Sequence, residues 1–448
     1  MQHSFVTEKG LTEDIIRTIS ERKKEPKWML NLRLEALKIY NSKPMPRWGA
    51  DLSDLDMNEI ITYLHPDFKQ ISDSWNDIPE YIKDTFERLG IPEAERKSLS
   101  GVGAQYDSEV VYHRVNKELK EQGVIYTDME TAVVEYEDIV KKHFMQLIKP
   151  NEHKFAALHA AVWSGGSFVY VPKNTEVKLP LQSYFRLNAQ EAGQFEHTLI
   201  ILEEGASIHF IEGCSAPKYK KNVLHAGAVE LYISKNAKLR YSTIENWSRN
   251  MYNLNTKKAL VDENGAIEWV SGSFGSRVTM LYPTSILKGD NSRCEFIGIT
   301  FASSGQYLDT GSKVIHIGKN TSSNVKSKSI SKNGGGSLYR SLLHIEKTAV
   351  GSKATADCES LMLDDISQSD TLPIIHSETD DVAIGHEAKI GRISDDSIFY
   401  LMSRGLSEEE AKGLMVRGFV EPITKELPLE YAVELNNLLK IELEGTVG

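Results

Sequence analysis

Three cysteines stand in the 448 residues, and two of them lie in patterns that could give a thiol a chemical role. Cys214 follows Gly213 in "FIEGCSAPKYKKN" and precedes three lysines, at positions 218, 220 and 221. Nearby cations favour the thiolate, which is the nucleophilic and sulfur-accepting form of cysteine. The pattern predicts a reactive thiol at Cys214. An unpaired cysteine is more often a small buried hydrophobic residue, so both interpretations stay open.

Cys358 lies between two acids in "ATADCESLMLDD", and a step of 28 residues reaches His386, which Glu387 follows. Cysteine, histidine and carboxylate side chains are suitable ligands for iron and zinc. Neighbouring residues on a strand face opposite sides, so His386 and Glu387 can serve one site only at a corner or a bulge. One cysteine and one histidine are too few for a four-ligand site. These residues therefore predict half of a metal site, whose other ligands come from another coil or another chain.

A weak repeat between residues 161 and 394 predicts the elements that would position these side chains. Short runs rich in Val, Ile, Thr, Tyr and Phe alternate with Gly and Asn. Aligned on one residue before each strand, the repeats begin at Ala206, Ala237, Ala266, Ser292, Thr321 and Ala349. A period of about 29 residues without intervening helices predicts a solenoid of stacked β coils, with a β-sandwich as the alternative. In the solenoid, Glu245 lies one coil after Cys214.

Helical patterns flank the repeat on both sides. We predict an N-terminal helical region over residues 1–160, which includes a helix at 77–90, and a C-terminal helical region over residues 395–448. The C-terminal helices either cap the exposed strand edges of the solenoid or dock a partner protein. If they dock a partner, we expect Met415 of "AKGLMVRGF" to lie on the docking surface.

Composition excludes several classes of function. A net charge of -11 and a pI near 5.7 give no electrostatic reason to expect nucleic acid or an anionic membrane as a partner. Three cysteines without a CxxC pair cannot build a disulfide framework, which indicates a reducing compartment. The start of the chain has no apolar signal region, and no apolar run of about 18 residues occurs. We therefore expect a cytoplasmic protein. It has no GxxxxGK[ST] loop, so we expect no bound nucleotide.

Four segments resemble SufB-type members of the SufB/SufD family, which assembles iron–sulfur clusters in the Suf system. They are "GCSAP", "ENWSRNMYNLNTKKA", "ADCESLMLDD" and "GHEAKIGRISDDSIFYLMSRGLSEEEA". The similarity covers nearly the whole chain, and SufD-type members do not match "GCSAP". The resemblance implies a mainly β protein, a right-handed parallel β-helix between α-helical ends. It also implies pairing through the β-helix with a SufD-type subunit or a second SufB-type subunit, and binding of the ATPase SufC by the C-terminal helices.

The resemblance also implies roles for individual residues. The sulfur-accepting cysteine falls on Cys214 and the cluster-assembly cysteine on Cys358, with His386 and Glu387 as further metal ligands at the subunit interface. The residues implied in carrying sulfur through the β-helix are Arg186, Asn188, Glu245, Trp247 and Lys257. The chain departs from the family pattern at Gly385, where many members have a first glutamate, and at Glu245, where a glutamine is common.

The sequence thus predicts a scaffold rather than an enzyme. It would accept sulfur from a cysteine desulfurase or its sulfur-transfer partner and build a transient [4Fe-4S] or [2Fe-2S] cluster for transfer to apo-proteins. Participation of a reduced flavin and a role for Cys294 stay open. One alternative is a structural subunit that binds no metal. Another is a β-helix enzyme acting on acidic polysaccharide through Asp364 and Asp365, although adjacent residues make a poor acid/base pair.

Overall fold

The computed structural model describes residues 3–66, 99–189, 191–217, 221–425 and 429–444, and two long β-sheets form the body of the protein. In chain order the strands are β1 (His3–Val6), β2 (Leu64–Pro66), β3 (Gly101–Tyr106), β4 (Glu109–Val115), β5 (Ile125–Asp128), β6 (Gly166–Val171), β7 (Leu181–Arg186), β8 (Gly193–Gln194), β9 (His197–Leu202), β10 (Ser207–Ser215), β11 (Val223–His225), β12 (Ala228–Ile233), β13 (Lys238–Trp247), β14 (Met251–Asn253), β15 (Thr256–Val261), β16 (Ala266–Gly275), β17 (Val278–Leu281), β18 (Thr284–Leu287), β19 (Arg293–Ala302), β20 (Tyr307–His316), β21 (Ser322–Ser331), β22 (Gly336–Ile345), β23 (Ser352–Met362), β24 (Gln368–Ser377) and β25 (Val382–Arg392). The helices are α1 (Glu13–Arg22), α2 (Lys27–Ser42), α3 (Lys117–Glu121), α4 (Met129–Glu135), α5 (Glu137–His143), α6 (Lys154–Val162), α7 (Asp395–Ser403), α8 (Glu408–Thr424) and α9 (Leu429–Glu444).

Successive coils stack in parallel, which confirms the predicted β-solenoid. In the first sheet β7, β10, β13, β16, β19, β21, β23 and β25 are neighbours in that order, and the strands between them in the chain form the second sheet. Corresponding positions in the first sheet are Ser207, Lys238, Ala266, Arg293, Ser322 and Lys353. Their spacing varies around about 29 residues, as the repeat predicts. A β-sandwich, in which antiparallel strands dominate, is excluded.

The register differs in detail from the sequence alignment of the repeats. Ala266 pairs with Lys238 rather than with Ala237. Ser322 pairs with Lys353, which puts Ser352 opposite Thr321, so the predicted residue Ala349 lies three residues before the observed one. The corners between strands differ in length from coil to coil, and a single aligned residue cannot account for these differences.

Asparagines at the corners of the solenoid explain why Asn recurs between the strand-like runs of the sequence. Six of them have positive φ angles: Asn174, Asn236, Asn264, Asn291, Asn320 and Asn333. Asparagine tolerates the left-handed region better than other residues with a side chain, because its short amide bonds to the local backbone. These residues turn the chain from one sheet into the next.

The predicted N-terminal helical region, residues 1–160, contains strands as well as helices. β3 and β4 are joined at Asp107, which has a φ of 56°, and β3 pairs in parallel with β7. β5 pairs with β6 in the second sheet. These strands cover the edges that the first coil would otherwise expose. The helix predicted at 77–90 lies outside the described residues.

A buried arginine ties the N-terminal helices together. Arg33 of α2 forms an ion pair with Glu25 at 2.5 Å, and both side chains are almost fully buried. Its guanidinium also donates to the carbonyl oxygens of Ala161, in the last turn of α6, and of Trp163, just after the helix, at 3.1 and 3.0 Å. The charge is therefore paired, and each guanidinium nitrogen has a protein partner.

The C-terminal helices pack on the outer face of the first sheet. Ala411, Val416 and Val420 of α8 form one buried cluster with outward-facing residues of the sheet such as Ile244 and Ile297. Met415 is partly buried against this cluster, so part of its side chain faces the β core, and its place on a docking surface stays a prediction. Exposed apolar side chains occur elsewhere on these helices, at Phe399, Tyr400, Met402 and Leu414. No helix in the described ranges is long and apolar enough to cross a membrane.

Candidate functional site

Cys214 lies inside the solenoid and is 3% exposed. Residues alternate along β10 between the interior and the outer face, so Glu212 faces the interior with Cys214. The thiol lies 3.9 Å from Oε1 of Glu212. Cys214 pairs with Phe185 in the coil before and with Glu245 in the coil after, which confirms the predicted position of Glu245.

One buried lysine is shared by two buried carboxylates beside this thiol. The ammonium of Lys257, whose side chain is 1% exposed, lies 3.2 Å from Glu212 and 3.5 Å from Glu245. Glu212 also accepts a hydrogen bond from the Tyr241 hydroxyl at 2.6 Å, and Glu245 accepts one from the Asn253 amide at 2.6 Å. Burial alone would lower the pKa of Lys257, but the two carboxylates raise it above its ordinary value. Lys257 therefore stays charged in the interior.

A second charged pair lies next to the first. Nε2 of His225 bonds to Glu196, and Nδ1 lies 2.8 Å from Oδ1 of Asn253. Burial would lower the pKa of His225, but Glu196 raises it. The Trp247 ring packs on the imidazole at 4.4 Å between ring centroids. The ligand atoms of Glu196, Cys214 and His225 lie within 4.8 Å of one another, so this cluster combines a thiol, an imidazole and a carboxylate.

The electrostatic environment of Cys214 is the reverse of the one predicted. Burial, then Glu212, Glu196 and Glu245, raise the pKa of the thiol well above its ordinary value, and only Lys257 opposes them. The predicted activation by the following lysines is therefore wrong: Lys221 bonds to Glu191 at the surface, at 2.7 Å, and residues 218 and 220 lie outside the described ranges. Cys214 is a neutral thiol at neutral pH, and it must transfer its proton before it can act as a nucleophile.

Arg186 and Asn188 do not join the interior cluster. Arg186 pairs with Ser215, which follows Cys214 on the opposite face of the strand, and its guanidinium donates to the serine hydroxyl at 3.1 Å. The backbone N–H of Asn188 donates to Asp107 at 2.5 Å, and its amide bonds to Tyr106. Of the residues implied in sulfur transfer, the structure brings Glu245, Trp247 and Lys257 to Cys214 and places the other two at the end of β7.

Cys358 also points into the interior, although two acids flank it in the sequence. It is 2% exposed and lies between Ser327 and Ala388 of the neighbouring coils. Asp357 and Glu359 occupy the alternate face of β23. Burial, then the charge of Asp357, raise the pKa of Cys358 to about 12. The thiol therefore keeps its proton until a cation or a base reaches it.

His386 faces the same side as Cys358 on the terminal coil, but not at the predicted step. It pairs with Ala356, two positions before Cys358, and is half-buried. Its Nε2 is buried and has no hydrogen-bond partner among the described residues. A buried imidazole nitrogen without a partner is available to a ligand, and unsatisfied groups of this kind are uncommon in proteins.

Glu387 lies on the opposite face of β25 from His386. The pairing of β25 with β23 continues without a bulge, and the Glu387 carboxylate bonds to Lys389 at 2.9 Å. The corner or bulge that would bring Glu387 and His386 to one side is absent in this described strand. The structure therefore brings Cys358 and His386 to one face and separates Glu387 from both.

The terminal coil leaves apolar side chains exposed. Among the described residues β25 has only β23 as a sheet neighbour, and β24 has only β22. Leu372, Ile374, Ile375 and Ile390 are each between 42% and 48% exposed. A row of unpaired backbone groups beside apolar side chains is a surface suited to another β chain.

Several residues of the interior cluster are missed by sequence reasoning. Glu196, Glu212, His225, Tyr241 and Asn253 belong to five different strands or corners, and only the folded register brings them together. Glu212 alone carries a local signal, because it precedes Cys214 by two residues on a strand and must share its face.

The fold and these sites define a class: a helix-flanked parallel β-solenoid that holds one cysteine in a charged interior and another beneath its open terminal coil. The chain belongs to the SufBD family. The model of the SufBD protein N-terminal region matches residues 15–183, and the model of the SUF system FeS cluster assembly, SufBD core domain, matches residues 185–419.

Curated relatives support the same assignment over nearly the whole chain. Iron-sulfur cluster assembly SufBD family proteins of Staphylococcus aureus, strains MRSA252 and USA300, are each 52% identical over 444 residues. The corresponding protein of Staphylococcus epidermidis, strain ATCC 12228, is 51% identical. Each alignment covers 99% of this chain and 95% of the relative. The rival interpretation as a polysaccharide-acting enzyme receives no support from this family.

Proposed function

We propose that this protein is a SufB-type cytoplasmic scaffold on which an iron–sulfur cluster is assembled. The observation that carries the proposal is the placement of the Cys358 thiol and the His386 imidazole on one face of the last two coils. Thiolate and imidazole are both iron ligands, and the cluster is cargo that the scaffold passes on. The two side chains supply only part of a ligand set, so a second subunit completes it.

We assign sulfur acceptance to Cys214. Its thiol transfers a proton to Glu212, the nearest carboxylate, and the resulting thiolate attacks the outer sulfur of a persulfide on a cysteine desulfurase or its transfer partner. The S–S bond of the donor breaks, the donor cysteine leaves as a thiolate, and a persulfide forms on Cys214. Lys257 lies beside Glu212, and its positive charge stabilises the thiolate that forms on Cys214.

The proposal includes two protein partners. The open terminal coil, with its exposed isoleucines and unpaired strand edges, suits a second copy of this chain or a SufD-type subunit. The exposed apolar residues of α7, Phe399, Tyr400 and Met402, suit a SufC-type ATPase. The ATPase would supply nucleotide hydrolysis, for which this chain carries no phosphate loop.

Cys358→Ser is expected to abolish cluster formation when the protein is reconstituted anaerobically with iron and sulfide. Serine keeps the size of the side chain but is a much poorer iron ligand than a thiolate. The visible absorption of the reconstituted protein measures the effect. Cys294→Ser is the matched control. Cys294 is an equally buried thiol that donates to Ser285, and it is not a proposed ligand. Normal reconstitution of Cys358→Ser would remove the proposed site.

Cys214→Ser is expected to separate sulfur delivery from assembly. Transfer of labelled sulfur from a desulfurase should be lost, because serine cannot carry a persulfide. Reconstitution with free sulfide and iron should continue, since it bypasses the delivery step. Loss of both activities would indicate a structural role for Cys214, and retention of both would mean that sulfur enters elsewhere.

A further inference from the structure

A second group of metal-ligating side chains lies on the outside of the last two coils. His344 near the end of β22 pairs in register with His376 near the end of β24, and their ring centroids are 4.8 Å apart. Glu346 and Glu378 follow two residues after each histidine. The motif His-x-Glu therefore occurs twice, one coil above the other, and we call these four residues the His-Glu cluster.

Three of the four side chains, His344, His376 and Glu378, converge on one point, and Glu346 lies beside His344. Nε2 of His344 lies 3.5 Å from Glu346 and 3.8 Å from Glu378, and Nε2 of His376 lies 3.4 Å from Glu378. The ligand atoms of His344, His376 and Glu378 all lie within 4.8 Å of one another. The two histidine side chains are 29% and 57% exposed, so an ion from solvent can reach them directly.

We propose that the His-Glu cluster binds one divalent first-row transition-metal ion. Imidazole and carboxylate ligands together suit zinc, iron, cobalt and nickel better than magnesium or calcium. Two carboxylates balance the charge of one divalent ion. Ligand atoms about 3 Å apart are needed around metal–ligand bonds of about 2 Å, and rotation of these exposed side chains closes the remaining gap.

The backbone fixes the spacing of the two histidines. Ile345 is fully buried between the outward-facing His344 and Glu346, which anchors this part of β22 in the core. The backbone N–H of Glu346 donates to the carbonyl oxygen of His316, and that of Glu378 donates to the carbonyl oxygen of Ile345, each at 2.9 Å. Both His-x-Glu segments are therefore held by the ladder of the solenoid, which reduces the entropy lost on binding.

This site is separate from the proposed assembly site. Cys358 and His386 lie on strands of the first sheet and face the interior, whereas the His-Glu cluster lies on the second sheet and faces outward. It contains no sulfur ligand. The inference therefore does not rest on the proposed function, and either can fail without the other.

Titration of the metal-free Cys358→Ser protein with Co²⁺ tests the proposal. We expect one equivalent to bind with ligand-field absorption bands and without a sulfur-to-cobalt charge-transfer band, because the ligands are nitrogen and oxygen. Adding His376→Ala should weaken binding by about tenfold or more, and adding His344→Ala as well should abolish it. Calorimetric titration with Zn²⁺ should rank the affinities of these three proteins in the same order.

His209→Ala in the same Cys358→Ser protein is the matched control. It removes a half-buried histidine from the outer face of β10, where its Nε2 lies 2.9 Å from the Ser242 hydroxyl, and Co²⁺ binding should be unchanged. Equal affinity in the His344→Ala/His376→Ala protein would overturn the proposal. So would a charge-transfer band that disappears on Cys214→Ser, which would place the ion at the interior cluster, or displacement of Co²⁺ by excess Mg²⁺, which would indicate an unselective acidic surface.

Discussion

Lys257→Met is expected to lower the free energy of unfolding by about 3–5 kcal/mol. The lysine is the cation shared by Glu212 and Glu245, and its removal leaves two carboxylates in the interior without it. Methionine keeps the apolar length of the side chain, so the loss reports the charge rather than a cavity. Urea unfolding followed by circular dichroism measures the change.

The adjacent lysine provides a matched control. Lys258 points the other way and bonds to Glu152 at 2.6 Å near the surface, so Lys258→Met should cost about 1 kcal/mol or less. Neutralising the carboxylates with Glu212→Gln and Glu245→Gln should restore part of the stability lost in Lys257→Met. Equal effects of the two lysine substitutions would show that the buried charges are compensated in another way.

This expectation affects how variants of the interior are interpreted. A Lys257 variant that loses activity has also lost a structural cation, so its activity must be compared at equal fractions of folded protein. Cys214→Ser does not share the difficulty, because serine keeps the size of the side chain and can keep its hydrogen bond to Glu212.

Phe399→Asp is expected to abolish co-purification of a SufC-type ATPase while leaving the melting temperature nearly unchanged. Phe399 is 74% exposed on α7, so a charge there costs the folded chain little. An apolar anchor lost from the centre of an interface weakens binding by about 2 kcal/mol or more. Co-purification and a thermal scan of the same preparation give both readouts.

Ile398, the residue before Phe399, provides a control in which stability rather than partner binding should change. Ile398 is 7% exposed and packs into the cluster between α7, α8 and the first sheet. Ile398→Asp should therefore lower the melting temperature markedly, because it buries an unpaired charge. If Phe399→Asp retains the ATPase, the docking surface lies elsewhere, and the exposed side chains of α7 need another explanation.

The solenoid could be predicted from the sequence because its corners are local. Asn236 and Asn264 mark turns that recur at the repeat period, and this period correctly placed Glu245 beside Cys214. The period failed near the end, where a longer corner shifts the register, so that Cys358 pairs with Ala388 rather than with His386. A shift of two residues keeps the face, so Cys358 and His386 lie on the same face at diagonal positions of neighbouring strands.

The electrostatics of Cys214 could not be predicted in full because two of its acidic neighbours come from distant parts of the chain. The sequence shows lysines close to Cys214, whereas the folded protein adds Glu196 and Glu245 to the nearby Glu212. Sequence distance indicates which charges share a loop. It does not indicate which charges share an interior formed by strands of two sheets.

The strands β3 and β4 were not predicted from the sequence, for a different reason. "GVGAQY" contains two glycines and one β-branched residue, a composition that weakly favours a strand. Its pairing with β7 stabilises it, and that partner lies about 80 residues away in the chain. Tertiary contacts here override the local preference.

The terminal coil has a consequence for motion. In a solenoid each coil is stabilised mainly by its immediate neighbours, and the coil of β24 and β25 has such a neighbour on one side only among the described residues. Local unfolding of this coil leaves the hydrogen bonds of the earlier coils intact, so it needs less free energy than opening the region around Cys214. Cys358 therefore lies in a less stable part of the solenoid than Cys214. It becomes accessible when the last coil opens, and a subunit that paired with β25 would oppose that opening.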